Sequence, residues 1–137
     1  RIAEQRTDWI KKQLRKFSQS KAKQIFKKPD GAELITIKKY LRNRVEHLAK
    51  RHGFQINKVS FKNMKTRWGS CSPKNNISFN ILMAHLPKKF QDYNILHELL
   101  HTRIKDHKKG YWAELDRLTG DANGIHKELK EKYTFYN

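Results

Sequence analysis

Two histidines with a glutamate between them form the clearest chemical signal in the sequence. His97 and His101 stand four residues apart, and Glu98 follows the first of them. On a helix this spacing places both imidazole rings on one face, one turn apart. Neutral imidazole is a good zinc ligand, and a carboxylate beside the ion can take a proton from a water that the ion activates. The HExxH pattern therefore predicts a zinc site with Glu98 as its general base.

The third ligand of such a site has two candidates. Catalytic zinc usually binds three protein side chains and keeps its fourth position for water. His107 follows His101 by six residues and would lie nearly opposite it on an unbroken helix, so it reaches the same ion only if the helix ends between them. Asp106 is suited to a turn at that point. An acid from the next helix, Glu114, is the alternative.

Hydrophobic spacing predicts helices in the second half of the chain. Apolar side chains recur at helical intervals around the histidines, at Tyr93, Leu96 and Leu100. No proline or glycine interrupts residues 89–109, and Pro87 starts the approach to this segment. We therefore expect one helix across the histidine pattern. A final helix, less regular because it spans Gly120 and Gly124, should close the chain.

Two helices and a small sheet are predicted before the histidine helix. Residues 1–28 read as a basic, linker-like helix that packs on the domain, and residues 29–137 read as the domain itself. A second helix should end at Gly53. Apolar residues then indicate a strand region followed by a period-2 strand, with Asn75-Asn76 suited to a hairpin turn between them. The strand residues are Ile56, Val59, Phe61, Ile77, Phe79 and Ile81.

The composition indicates one domain without an internal disulfide. A chain of 137 residues is long enough for a modest core. The single cysteine, Cys71, fits a reducing compartment, so we expect a cytoplasmic protein. No apolar run has the length of a membrane span, and no signal peptide is recognisable. Because the sequence begins at Arg1 without a methionine, we expect it to be a fragment of a longer protein.

Positive charge is concentrated in the first two thirds of the chain. Lysine and arginine number 31 against 13 acids, a net charge of +18. Residues 1–91 carry this whole excess, whereas acids and bases balance in residues 92–137. Such a field attracts polyanions, which predicts nonspecific nucleic-acid contact through the basic half. A solvated basic surface is the alternative, since no base-reading motif accompanies the charge.

Several sequence blocks together resemble one protein family. The blocks are Met64–Ser72, Ile77, Asn80, Pro87, Asp92-Tyr93, the HELLH pattern at 97–101 and His107–Trp112. They resemble the YgjP-like metallopeptidase family, which is similar to the SprT-like and WLM groups of small proteases. The resemblance covers residues 40–137, and residues 5–17 look like the linking helix of the family. The chain departs from the family pattern at Asn75-Asn76, Asn94 and Tyr111, and it lacks the N-terminal strands that are common there.

The resemblance implies an α+β fold, a compact zincin-like metalloprotease domain. A small antiparallel or mixed sheet would pack on the HExxH helix, with additional helices around it. The resemblance also implies that His97, His101 and His107 bind zinc and that Glu98 is the base. The hairpin beside the cleft would hold an extended peptide as an added strand. The implied substrate-binding residues are Arg67, Trp68, Gly69, Ser70, Asn80 and Tyr111.

Three of the side chains in these blocks have two interpretations each. Cys71 is an inhibitory fourth zinc ligand or, as we favour, a buried thiol in the hairpin. Trp68 is a platform for substrate or, as we favour, a core residue. Tyr111 packs the loop of the third ligand, or it donates a hydrogen bond to a developing oxyanion.

The function that these patterns predict is that of a zinc-dependent metalloendopeptidase. Its partner would be a peptide or protein substrate, hydrolysed by a zinc-activated water with Glu98 as base. One alternative is a nucleic-acid-associated protease that acts on DNA-bound proteins. Another is a non-catalytic module that zinc stabilises. The presence of Glu98 argues against this last alternative, because a purely structural site needs no base.

Overall fold

The computed structural model describes residues 31–133 of the chain. The helix predicted at residues 1–28 lies outside the described residues. Within them, no helix has both the length and the apolar character needed to cross a membrane.

The first described helix, α1, is Gly31–His52. It buries an apolar stripe that recurs every three or four residues, at Leu41, Val45, Leu48 and Ala49. The stop predicted at Gly53 is confirmed, because this glycine has a φ of 72° and bends the backbone out of the helix. Basic residues in the last turn face the negative end of the helix dipole.

A three-stranded mixed sheet follows, with β1 at Val59–Lys62, β2 at Gly69–Cys71 and β3 at Ile77–Asn80. The central strand is β3, which pairs with β1 in parallel and with β2 antiparallel. Asn75 adopts a φ of 65° in the turn between β2 and β3, as the hairpin prediction requires. The predicted small sheet is therefore confirmed, and β2 and β3 form its hairpin.

The period-2 pattern predicted through Ile81 is wrong at its last residue, because β3 ends at Asn80. The side-chain oxygen of Asn80 accepts a hydrogen bond from the Leu82 amide at 3.0 Å. Its side-chain nitrogen donates to the carbonyls of Met64 and Arg67. Asn80 thus caps a short 3₁₀ helix at Ile81–His85, and it ties the end of the strand to the segment before β2.

Three helices complete the domain: α2 at Lys88–Leu100, α3 at Lys109–Thr119 and α4 at Ala122–Lys132. The expectation of one final helix is wrong, because Gly120 takes a φ of 89° and ends α3. Asp121 then caps α4 by accepting a hydrogen bond from the Gly124 amide at 3.1 Å.

Helix α2 lies at the centre of the fold. It contacts the sheet, α1, α3 and α4, and most of its residues are buried. Tyr93, Ile95 and Leu99 are nearly or fully excluded from solvent. The architecture is α+β, a small mixed sheet packed on the helix that carries the histidine pattern, as the family resemblance implies.

Candidate metal centre

Three histidines converge at the end of α2. His97 lies in the last turn of the helix, His101 is its C-cap, and His107 comes from the loop that follows. One ring nitrogen from each lies within 4.8 Å of the others. The Nε2 atoms of His101 and His107 are 2.8 Å apart. Among the described residues this is the one cluster of at least three side chains that could hold a metal ion.

His107 can reach the other two histidines because helix α2 ends at Leu100, before the chain continues to His107. The amides of His101 and Thr102 turn to carbonyls only three residues earlier, and Ile104 bonds the Leu100 carbonyl at 2.9 Å. These tight bonds end the α-helix and redirect the chain. Asp106 then accepts a hydrogen bond from the Lys108 amide at 3.0 Å, which forms the predicted turn.

The hydrogen bonds of the rings fit metal binding. His101 donates from Nδ1 to the Ile104 carbonyl at 2.9 Å, so its Nε2 carries a lone pair that faces His107. Burial lowers the pKa of His101, and the nearby His97 and His107 lower it further, so the neutral ring is favoured. Three imidazole nitrogens that converge in this way form a donor set that zinc and similar divalent ions accept.

Glu98 is nearly buried, with an exposed fraction of 7 %. Its Oε2 accepts a hydrogen bond from Nδ1 of His97 at 3.1 Å. On its other side lies Gly69 of β2, where an added Cβ would stand 2.8 Å from Cγ of Glu98 and 3.3 Å from its Oε2. The strand can approach the carboxylate this closely only because residue 69 has no side chain.

The ring of Tyr111 packs against the rings of all three histidines. Its ring stacks on His101 with centroids 4.5 Å apart, and it meets His97 and His107 edge to face. Its hydroxyl donates to the His97 carbonyl at 2.9 Å. Burial, followed by the charge of Glu98, raises the pKa of Tyr111, so it stays a neutral phenol. Because Tyr111 is fully buried, its position agrees better with the predicted packing of the third-ligand loop than with a substrate contact.

The remaining predicted substrate residues lie around β2. Asn80 is fully buried and its side chain is engaged in the contacts given above, so it too has a structural place. Trp68 is partly buried against the core, and Arg67 is exposed. Ser70 pairs with Ser78 and therefore faces the side of the sheet opposite Gly69.

Two further candidates do not join the histidine cluster. The carboxylate of Glu114 accepts a hydrogen bond from Nε of Arg117 at 3.0 Å. Cys71 is half-buried rather than buried, and burial raises the pKa of its thiol. Its thiol points to the Ser72 carbonyl at 3.6 Å.

A second layer of aromatic residues lies beside the centre, and sequence reasoning missed the pairing of Tyr93 with His126 in it. Tyr93 lies four residues before His97, with ring centroids 5.9 Å apart, and its hydroxyl pairs with Nδ1 of His126 at 2.9 Å. Trp112 contacts both His97 and His107 with its ring. The four-residue spacing of Tyr93 could have shown that it shares a helix face with His97. No sequence signal connects His126 to the site, because α4 reaches it only through tertiary packing.

Comparison with known proteins agrees with this geometry. Residues 34–132 match the model of the YgjP-like, metallopeptidase domain family. No curated protein matches the sequence. The fold is similar to that of the metallopeptidase zymogen abylysin from Pyrococcus abyssi, with a TM-score of 0.58 and 21 % sequence identity over 68 % of this chain and 94 % of that chain. Because the family model spans most of the sequence, this chain belongs to the YgjP-like family and contains its metallopeptidase domain.

Proposed function

We propose that the chain is a zinc-dependent endopeptidase of the HExxH type. Its family is one of metallopeptidases, so the coarse function is peptide hydrolysis that depends on a metal ion. The observation that carries the finer proposal is the convergence of three histidine nitrogens within 4.8 Å next to the nearly buried Glu98. Three histidines leave a fourth position open, which is typical of catalytic rather than structural zinc sites.

The roles of the side chains follow from their contacts. His97, His101 and His107 would hold the ion, which supplies a Lewis acid and lowers the pKa of a water molecule toward ~7. Glu98 takes the proton of that water and passes it to the leaving amine. The bond from His97 uses Oε2 of Glu98, so we assign Oε1 as the oxygen that receives the proton.

The peptide would bind along β2. On the other edge of the sheet, Arg42 donates to the Val59 carbonyl at 3.3 Å and covers the ring of Phe61. The face of β2 lies against Glu98 at Gly69, and the outer edge of this strand is not paired with another described strand. An extended substrate added there would place a peptide bond next to the base. Arg67, Trp68, Gly69 and Ser70 would contact it, with Gly69 and Ser70 acting through their backbone.

The test combines metal content with hydrolysis. Zinc per chain is measured by mass spectrometry on untagged protein, and cleavage is followed on an unfolded protein substrate. We expect about one zinc per chain, and Glu98→Gln should keep it while hydrolysis falls by about 10²–10⁴-fold, the usual contribution of a general base. Glu114→Gln is the matched control and should change neither. Normal cleavage by Glu98→Gln, or a wild-type chain that does not take up zinc, would refute the proposal.

A further inference from the structure

The segment of the sequence that contains the proposed substrate edge carries charge of only one sign. Between Glu46 and Asp92 the sequence contains no acid, and it contains nine lysines and arginines. This stretch includes all three strands. The nine are Lys50, Arg51, Lys58, Lys62, Lys65, Arg67, Lys74, Lys88 and Lys89.

The loop on the other side of the histidines repeats this pattern. It contributes Arg103, Lys105, Lys108 and Lys109, all exposed. Lys105 reaches across to the hairpin, where its Nζ bonds the Ser72 carbonyl at 3.3 Å and the side chain of Asn75. The single acid of the loop, Asp106, is engaged with a backbone amide. The loop that carries His107 and the hairpin that carries β2 are therefore both cationic, although Arg103 is directed to the Gly53 carbonyl and the ring of Phe54.

Some cations on the helices are neutralised by ion pairs. Arg44 forms a bidentate ion pair with Asp92. Lys89 forms an ion pair with Glu128, and Arg117 forms one with Glu114. The first two pairs join helices, and the third lies within α3. In residues 31–133, none of the cations of the hairpin or of the 102–109 loop pairs with a carboxylate. The hairpin and the 102–109 loop therefore keep their positive charge where the substrate would lie.

We infer that the site selects peptide segments that carry acidic side chains next to the bond that is cut. The inference rests on the proposed function and specifies its substrate class. Carboxylates on either side of the scissile bond would face Arg67 on the hairpin side and Lys108 on the loop side. Close attraction of this kind adds to the contacts along β2, and salt screens it, since the Debye length falls from ~30 Å at 0.01 M to ~3 Å at 1 M ionic strength. A nucleic acid would also be attracted, but these cations border the base that must reach a peptide bond.

The first experiment compares peptides of one sequence that differ only beside the scissile bond. A cleavage site is mapped in an unfolded protein, and peptides of that site are made with glutamate, glutamine or lysine at the flanking positions. We expect kcat/KM to be about tenfold higher for the glutamate peptide than for the lysine peptide at 0.02 M salt, and the ratio to fall below about threefold at 0.5 M. Equal rates, or a preference for lysine, would overturn the inference.

A binding measurement separates this inference from the proposed function. Labelled glutamate and lysine peptides are titrated against the Glu98→Gln chain loaded with zinc, and their anisotropy is recorded. Preferential binding of the glutamate peptide supports the acidic preference even if no peptide is hydrolysed, an outcome that would refute the peptidase proposal alone. Binding of duplex DNA at 0.15 M salt together with equal affinity for both peptides would overturn the inference in favour of a nucleic-acid surface.

Charge-reversal variants locate the effect. Arg67→Glu should reduce the preference for glutamate over lysine at least about threefold. Lys39→Glu makes the same change of charge at an exposed position on α1 and should leave the preference unchanged. Equal effects of the two variants would show that net charge alone is responsible, and they would overturn a local site.

Discussion

Two regions meet at the histidine cluster, and they hold their ligands in different ways. Helix α2 is packed on all sides, and its ligand His101 is buried, stacked on Tyr111 and bonded through Nδ1 to a backbone carbonyl. The loop 102–109 is largely exposed, and so is its ligand His107. The ring of His107 reaches the core only through its edge-to-face contact with Tyr111, and its one hydrogen bond in the cluster is to Nε2 of His101.

This difference indicates a division of labour. The core fixes the helical ligands before any ion arrives, because moving them would disturb buried packing. The loop adds the last ligand and can be ordered further by the ion, since metal binding supplies free energy that ordering consumes. Helix α2 should therefore determine the free energy of unfolding and the geometry of the site, and the loop 102–109 should determine the affinity for the ion.

The largest expected effect separates the two ligands directly. Structural zinc sites bind with ~10–16 kcal/mol in total, so His101→Ala or His107→Ala should each cost about 3–4 kcal/mol of zinc binding, measured by competition with a chelator. Only His101→Ala should also lower the free energy of unfolding of the metal-free chain, by about 1–3 kcal/mol, because it removes a buried side chain with its hydrogen bond. If His107→Ala lowered the free energy of unfolding of the metal-free chain as much as His101→Ala does, the two ligands would not differ in the way we expect.

The second prediction concerns Tyr111, whose ring packs against the three ligands. Tyr111→Ala should cost about 3 kcal/mol of stability, because it leaves a cavity under all three rings. Tyr111→Phe keeps the ring and loses only the bond to the His97 carbonyl, so it should cost about 1 kcal/mol. Denaturant unfolding of both variants provides the measurement. If Tyr111→Phe were as damaging as Tyr111→Ala, the hydroxyl rather than the stacked ring would support the site.

The centre could be predicted from sequence as far as its determinants are local. The spacing of His97, Glu98 and His101 fixes one helix face, and the condition that the helix must end before His107 follows from helical geometry alone. The structure fulfils this condition with turn bonds after Leu100. Local rules therefore sufficed to select the residues that converge.

The rest depends on contacts between distant segments. For Tyr111 the sequence left open whether it packs the loop of the third ligand or contacts substrate, and its burial, which tertiary packing determines, agrees with the first interpretation. The role of Gly69 depends on how closely β2 approaches Glu98, a distance that no periodicity encodes. Period-2 spacing extended β3 to Ile81, but the amide of Asn80 ended the strand by capping the next turn. Side-chain hydrogen bonds of this kind override local propensity without a sequence signature.

A smaller effect is expected where the strand meets the helix. Gly69→Ala places a Cβ 2.8 Å from Cγ of Glu98, so the carboxylate must move. We expect kcat to fall by about 10–100-fold while zinc content stays unchanged, since the ligands are untouched. Gly110→Ala is the matched control, because a Cβ at that position meets no atom within 4 Å. Full activity of Gly69→Ala would show that the base tolerates displacement.

The smallest expected effect concerns the pH dependence of the free energy of unfolding, which we expect the helices rather than the 102–109 loop to determine. His52 lies at the end of α1, where burial, followed by the charges of Arg51 and Arg117, lowers its pKa below the ordinary value of 6.5. The unfolded chain then binds more protons than the folded one as the pH falls below 6.5, so the stability present above this pH is lost on acidification. His52→Gln should flatten this part of the stability profile of the metal-free chain. His47→Gln, an exposed position on the same helix, should leave the profile unchanged. An NMR titration midpoint of His52 above 6.5 would reverse the sign of the effect and place the acid sensitivity elsewhere in the domain.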